Sequence, residues 1–334
     1  MALSRPKLSA DVIGYGTCGS ETVKDKMNIY LVGSVAYDRI MNFNGRFSEH
    51  ILPDKVHVLN VSFIISSLQE RFGGTAGNIA YTLALLEEFP TIIASVGTDF
   101  ATSYKNHLEK LGLPLNGVHV STDFLTASAY IITDLANCQI TGFNPGASAV
   151  FSNKAISELT ADDLIVISPT DVNEMRYYCA MAKEKNVPWV FDPGQQLPAL
   201  SAEDLLFMIT GANMLVSNDY EFAMICEKTS RMKEELAQLT PVIITTLGEH
   251  GCDIHTQQNT LRIPAISIDD VKDPTGAGDA FRAGLMKGLK MGKRIQEAAQ
   301  MGILTASYVV EQEGTQEHFF TPDDFWKRYH SLFS

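Results

Sequence analysis

Residues 273–281 read Asp-Pro-Thr-Gly-Ala-Gly-Asp-Ala-Phe, and they carry the densest chemistry in the chain. Gly276, Ala277 and Gly278 stand where a loop should turn into a helix, so their N–H groups are expected to point outward without intrahelical partners, backed by the positive end of the helix dipole. Such a cradle binds anions. Asp279 follows in the first helical turn, and an acid beside a site that gathers negative charge costs energy unless the chemistry needs both. The combination predicts phosphoryl transfer to a hydroxyl: Asp279 takes the hydroxyl proton and the three amides stabilise charge on the moving group. The helix dipole should keep Asp279 ionised and therefore a weak base. Taken alone, the same residues also fit a Gly-rich turn in which Asp279 is only a favourable dipole partner.

These groups need a scaffold, and from Met27 onward the chain supplies one. Short apolar runs at 29–33, 91–96, 164–168, 188–191, 213–216 and 241–246 alternate with amphipathic stretches at 77–88, 101–111, 173–185, 203–210, 230–239, 278–291 and 294–311. That rhythm predicts βαβ units and an α/β fold, a doubly wound, mostly parallel sheet flanked by helices. Two regions break it: 36–66 and 117–143 are rich in β-branched and aromatic residues, with alternation at Val56-His57-Val58-Leu59-Asn60-Val61 and Ala127-Ser128-Ala129-Tyr130-Ile131-Ile132. They are expected to form a small inserted sheet, used as a lid over the site or as a packing surface for a homodimer. Residues 1–26 lack clear periodicity and read as a loose leader, leaving 27–334 as one domain.

Further pieces bear chemistry at their own places. Gly33 closes the first strand and Asp38 lies five positions on; a carboxylate can accept two hydroxyl donors from a vicinal diol. In Gly73-Gly74-Thr75-Ala76-Gly77-Asn78, paired glycines let a ligand lie against bare main chain. Asn218 and Glu221 have the spacing of a helix capping box. Thr246, Gly248 and Gly251 form a turn after an apolar strand. Asp192 ends another strand.

In this order, the set resembles the ribokinase family of sugar and nucleoside kinases, also called the PfkB family, over about residues 28–320. The resemblance implies a ribokinase-like fold in which Asp279 and the amides of Gly276, Ala277 and Gly278 are catalytic. It further implies that Asp38, Gly73, Gly74 and Asn78 hold the acceptor, and that Thr246, Gly248 and Gly251 contact ATP. Asn218 and Glu221 would order Mg²⁺ through water. Asp273 and Thr275, with carbonyls near Glu313-Gly314, match positions that in some relatives border a monovalent-cation (K⁺) site. Phe143, at the end of the inserted region, stands where an aromatic shelf for a base would be needed, and equally where plain packing would use it. The wording of the glycine segments looks most like adenosine-kinase-type nucleoside kinases, which implies a purine nucleoside as acceptor and its 5′-hydroxyl as the phosphorylated group. A sugar kinase acting on ribose or fructose shares every one of these residues.

Composition removes other classes. The 334 residues carry 26 Lys and Arg against 39 acids, a net charge of −13, and a surface of that sign repels nucleic acid and anionic lipid. Cys18, Cys138, Cys179, Cys226 and Cys252 are scattered without metal-ligand spacing and read as reduced thiols of a cytoplasmic protein. No apolar run approaches the ~20 residues of a membrane span. A GxxxxGK[ST] loop, protein-kinase motifs and a dinucleotide GxGxxG are missing, so phosphate must be held in another way, and the lack of HExxH leaves a zinc hydrolase little support.

Overall fold

The computed structural model describes residues 27–333, apart from 52, 59, 137, 153, 155, 157 and 158. The expected leader and Cys18 therefore lie outside the described residues. The strands are β1 (Ile29–Val32), β2 (Ala36–Phe43), β3 (Ile65–Gly73), β4 (Thr91–Val96), β5 (Val118–Val120), β6 (Ala127–Thr133), β7 (Gln139–Asn144), β8 (Leu164–Ile167), β9 (Trp189–Phe191), β10 (Met214–Asn218), β11 (Val242–Thr246), β12 (Cys252–Thr256) and β13 (Thr260–Ile263). The helices are α1 (Phe47–His50), α2 (Thr75–Leu85), α3 (Tyr104–Lys110), α4 (Val172–Lys185), α5 (Ala202–Ile209), α6 (Asp219–Thr229), α7 (Lys233–Leu236), α8 (Ala277–Lys290), α9 (Ile295–Val310) and α10 (Pro322–Phe333).

The main sheet runs β13-β12-β11-β10-β9-β8-β1-β4-β5. It is parallel from β11 to β5, and the β12–β13 hairpin adds an antiparallel edge. Its inner strands β1, β8 and β9 are apolar throughout because both faces are covered, whereas the edge strands β12 and β13 carry Asp253, His255 and Arg262. Alternation divides them between two cores: Leu31, Val166, Val190, Val216 and Ile244 pack on one face with residues of α2, α8 and α9. Val32, Ile165, Phe191, Leu215 and Ile243 pack on the other with residues of α4, α5 and α6. This is the expected doubly wound arrangement, with all six predicted parallel strands in place.

The chain leaves β1 toward β4 and β5 on one side, then returns through β8 toward β11 on the other. Strand order therefore reverses beside β1, and in open α/β sheets ligands bind outside the carboxyl ends of strands at such a point. Gly33, Ser168, Asp192, Asn218 and Thr246 stand at those ends.

A separate four-stranded sheet has the order β3-β2-β6-β7. Its boundaries correct the expected 36–66 and 117–143. The alternating run from Val56 is not a strand: Pro53–Val58 is a 3₁₀ turn, with His57 and Val58 exposed, and the partner of β2 begins only at Ile65. Alternation alone cannot make a strand without a neighbour to pair with. Val118–Val120, expected in the insert, instead extends the main sheet beside β4.

Helices α8 and α9 approach closely because Gly284 and Gly288 lack side chains. A Cβ at Gly284 would overlap the Met301 carbonyl and the Thr305 hydroxyl, and Gly288 rests against Ala298. Thr305 Oγ1 donates to the Ala280 carbonyl at 2.6 Å, tying α9 to the first turn of α8. Gly284→Val is expected to lower stability by roughly 1–3 kcal/mol through overpacking. Urea denaturation measures this, and an unchanged midpoint would contradict the close contact.

Candidate active site

The first turn of α8 has the shape that the sequence predicts. Gly276 is its N-cap with φ 83° and ψ −4°, a left-handed conformation that glycine adopts without penalty, and a side chain there would press on Thr315. One amide of the expected cradle is engaged: Ala277 N donates to Pro274 O at 3.2 Å, closing the turn before the helix. The other first-turn amides follow the general geometry of helix starts and face away from the helix body.

Asp279 is half-buried, and its Oδ2 accepts from Asn78 Nδ2 at 2.8 Å. Residues 201 apart in sequence thus meet at one carboxylate. Burial raises the Asp279 pKa above the usual carboxylate value, while Arg282 and the Asn78 hydrogen bond oppose the rise and Glu221 adds to it. This corrects the helix-dipole expectation of a low pKa. A dipole contributes typically about 0.3–1 kcal/mol near the surface, whereas desolvation of a carboxylate moves its pKa by up to several units. The upward direction makes Asp279 a better base.

Behind Asp279 lies a buried ion pair absent from the sequence expectations. Arg282, 7% exposed, donates from Nη2 to Asp192 Oδ1 at 2.6 Å, and Asp192 is 1% exposed. Burial works against the guanidinium charge, but Asp192, Asp279 and Glu221 together raise its pKa. Burial likewise drives Asp192 upward, countered by Arg282 and reinforced by Glu221 and Asp279. The spacing held a signal: Arg282 follows Asp279 by three residues, so both fall on one helix face.

Asp38 lies within electrostatic reach of Asp279 and Asp273. Burial first, then those two carboxylates, raise its pKa from 3.8 to about 6, with Arg71 opposing. Gly73 sits directly across from Ala36, and a Cβ there would strike the Asp38 carboxylate. Gly74 has φ 87°, and a Cβ would come within 2.6 Å of Ala36 N and 2.7 Å of Ser34 O. Here the bare main chain is needed by the protein's own β1–β2 connection. Ser34 caps α2, its Oγ accepting from Thr75 N at 3.1 Å and its carbonyl from Ala76 N at 3.0 Å.

Asn218 and Glu221 form the capping box of α6: Asn218 Oδ1 accepts from Glu221 N at 2.7 Å and Glu221 Oε2 from Asn218 N at 2.9 Å. Thr246 is the register partner of Asn218 on the adjacent strand, followed by the turn that holds Gly248 and Gly251. Gly248 has φ 55° and open space where a Cβ would be. Gly251 is required by its own chain, since a Cβ would overlap Ile263 O and approach Ala265 N at 2.6 Å. Asp273 joins two segments, accepting Thr275 N at 2.9 Å on Oδ1 and Gly314 N at 3.0 Å on Oδ2. Burial opposes its charge, yet these hydrogen bonds and Arg71 leave its pKa lowered. Phe143 is 56% exposed on β7, so plain core packing is not its role. It shares a row, Arg71–Asp38–Ala129–Phe143, and therefore one sheet face, with Asp38.

Among the described residues no group of three or more His, Cys, Asp or Glu side chains forms a direct metal cage. The hard-oxygen pair Asn218 and Glu221 fits magnesium only in the water-mediated manner that this ion favours.

A helix start at Gly276–Gly278 and a half-buried carboxylate, Asp279, beside a topological switch point fit a phosphotransferase with an alcohol group as acceptor. The chain belongs to the pfkB family of carbohydrate kinases, whose family model matches residues 31–322. It is 33% identical over 301 residues to the nucleoside kinase of Methanocaldococcus jannaschii, covering 90% of this chain and 96% of that one. The structure of Burkholderia thailandensis nucleoside kinase in complex with ADP-inosine aligns with TM-score 0.78 and 37% identity, over 91% of this chain and 96% of that one. Bacillus subtilis ribokinase is 25% identical over 297 residues, covering 86% and 94%.

The buried pair generates a stability test. Arg282→Met strands Asp192 in the interior and is expected to cost roughly 3–5 kcal/mol. Adding Asp192→Asn should recover more than half of that loss in a urea-denaturation cycle. A cost below about 1 kcal/mol would mean that the pair does not hold the strand ends together.

Proposed function

We propose that this protein transfers the γ-phosphate of ATP to the 5′-hydroxyl of a nucleoside, adenosine or a related purine nucleoside. The observation that carries the reading is the Asn78–Asp279 contact at the start of α8, which sets a raised-pKa carboxylate beside the anion cradle. The M. jannaschii and B. thailandensis relatives, both named nucleoside kinases, support the acceptor class.

In this mechanism Asp38 accepts the ribose hydroxyls, and Asn78 uses its second amide hydrogen on the acceptor. Asp279 takes the 5′-hydroxyl proton as the oxygen bonds to the γ-phosphorus; the bond from that phosphorus to the β–γ bridging oxygen breaks and ADP leaves with the electron pair. The transition state is loose, so alignment and charge neutralisation contribute most. Amides of Gly276, Ala277 and Gly278 stabilise the transferring group, with the Ala277 N–H released from Pro274 or shared with it. ATP lies along Thr246, Gly248 and Gly251. Mg²⁺, ordered by Asn218 and Glu221 through waters, supplies neutralisation of the donor-phosphate charge when bound. A potassium ion beside Asp273, Thr275 and Gly314 belongs to the same proposal.

The small sheet then acts as a lid whose Asp38 face carries Phe143 as a shelf for the base. Its opposite face bears the apolar row Leu68–Met41–Ile132–Ile140, which supports a homodimer through the lid. A cytoplasmic location is supported by the free thiols of Cys138, Cys179, Cys226 and Cys252, and no described helix is long and apolar enough to cross a membrane. A sugar acceptor is the second reading, favoured by the likeness to B. subtilis ribokinase.

Acceptor-dependent ADP production across purine and pyrimidine nucleosides, ribose and fructose, with and without K⁺, tests the acceptor directly. Purine nucleosides should give the highest kcat/KM; faster turnover of ribose or fructose would overturn the nucleoside reading. Asp279→Asn should preserve nucleoside binding and lower kcat by at least ~100-fold. Near-normal turnover would remove Asp279 from its role.

Asp38 offers a test with opposite signs for stability and function. Its carboxylate titrates near 3.8 when unfolded and about 6 when folded, so the folded state bears the charge penalty fully above pH 6 and not at all below pH 4. Asp38→Asn should stabilise the free protein at pH 7 by up to about 2 kcal/mol, allowing for solvent screening. The gain should fade as pH falls through this window. The same variant should raise the acceptor KM roughly 10- to 100-fold. Lower stability at pH 7, or an unchanged KM, would contradict the assignment.

A further inference from the structure

A chain of polar side chains leads away from Asp279 into the interior. Asn78 Oδ1 accepts from Gln316 Nε2 at 2.9 Å, and the same nitrogen donates to the Tyr104 hydroxyl at 2.7 Å. That hydroxyl in turn donates to the Gly73 carbonyl at 2.7 Å. Gln316 Oε1 meets His107 Nε2 at 2.9 Å. Gln316 is 5% exposed and Tyr104 fully buried, so the partners must come from the protein.

The donors and acceptors fit in only one way. An ionised carboxylate has no hydrogen to give, so the nitrogen end of Asn78 must face Asp279 and its oxygen end must face Gln316. Gln316 uses both amide hydrogens, on Asn78 and Tyr104, which leaves its oxygen to accept. His107 must therefore carry its hydrogen on Nε2. Burial lowers the His107 pKa, against the charged form of the ring. The ring is clamped between Phe72, with centroids 4.2 Å apart at 16°, and Tyr81, at 5.8 Å and 13°. Room is provided as well, since a Cβ at Gly77 would strike the Tyr104 hydroxyl. The segment that presents Gln316 is tied down at Gly314 by Asp273 and at Thr315, whose hydroxyl donates to Phe72 O at 2.8 Å.

We propose that Gln316 is a positioning residue of the transfer reaction: it holds the Asn78 side-chain oxygen, turns the Asn78 nitrogen onto Asp279, and is itself oriented by His107. The inference rests on the proposed role of Asp279 as proton acceptor. The charged and titratable groups around Asp279 are Arg282 on its own helix, Glu221 of α6, Asp38 of β2, Asp192 after β9 and Tyr104 of α3. None of them replaces the hydrogen that Asn78 donates.

Gln316→Glu keeps the shape and replaces the donating end by an acceptor, so the Asn78 amide turns and presents oxygen to Asp279. With the nucleoside that turns over fastest as acceptor, kcat at pH 7 should fall at least ~10-fold and the acid limb of the kcat profile should rise by about one pH unit. KM for ATP should stay within about twofold, since Gln316 bonds to Asn78, Tyr104 and His107 and to none of the residues proposed for the donor side. His107→Phe preserves the ring stack, removes the donor to Gln316, and should shift the limb in the same direction by less. If Gln316→Glu does not fold, His107→Phe decides alone. Wild-type kcat and pH limb in the folded variants would overturn the proposal, and so would a lower kcat without a limb shift, which marks mere packing. Asp279→Asn separates the two readings: turnover retained there sinks the role of Asp279 itself. Loss there with wild-type behaviour at Gln316 and His107 sinks only the positioning role.

Discussion

One buried guanidinium facing several carboxylates is the constraint on which the rest of this site depends. Arg282 pairs with Asp192, yet Asp279 and Glu221 also act on it, and Asp38 and Asp273 act on one another nearby. Like charges at this density are tolerable only when a proton or another cation balances them. Burial first, and neighbouring carboxylates second, raise the pKa values of Asp38 and Asp279 in the free protein. The proposed reaction would add a polyphosphate beside these acids, and a divalent cation bound with it would offset part of the repulsion.

The sheet makes this concentration of charge possible. Seven parallel strands end on one side, and the reversal beside β1 opens a crevice into which consecutive strand ends deliver Ser168, Asp192, Asn218 and Thr246. Helices α2 and α8 then bring Asn78 and Asp279 to the same place from opposite ends of the sequence. Each approach depends on small residues. Gly74 lets α2 start against β1 and β2, and Gly284 and Gly288 let α9 brace α8. Local backbone geometry and catalytic geometry are therefore one problem, since moving either helix start by the width of a methyl group separates the two side chains.

What could be read from the sequence follows the range of the interactions. Six of the seven parallel strands carry short apolar runs, and burial on both faces is written into each one locally. The anion loop and capping box are likewise local, so 276–279 and Asn218–Glu221 were legible. The α6 helix was visible only through that cap. Strand β3 and the 3₁₀ turn at Pro53–Val58 were not legible, because the alternating run from Val56 has no strand partner while β3, with apolar residues only at Ile65, Leu68 and Phe72, does not alternate and is fixed by pairing with β2. Helix α10 went unseen for a related reason: Phe325 and Tyr329 bury against Leu86, Met301 and Leu304, contacts made in another part of the chain. In the site, Arg282 left a three-residue spacing as its mark, while Gln316, Tyr104 and His107 left none. Their roles come from hydrogen bonds spanning over 200 residues or from ring stacking, and no local pattern encodes those.

The two uses expected of the small sheet stop competing once its register is known. Residues opposite one another across a ladder share a face, so Arg71, Asp38, Ala129 and Phe143 look one way and Leu68, Met41, Ile132 and Ile140 the other. The row with Asp38 combines the acid proposed to bind a diol, a small residue and an exposed ring, an order that would suit a ribosyl group followed by a planar base. The opposite row has no charged member and leaves Leu68 66% and Ile140 42% exposed, and the proposed homodimer would cover it. A single sheet can thus cover an acceptor with one face and pack against a partner with the other, and pairing between copies would set the position of the cover over both sites.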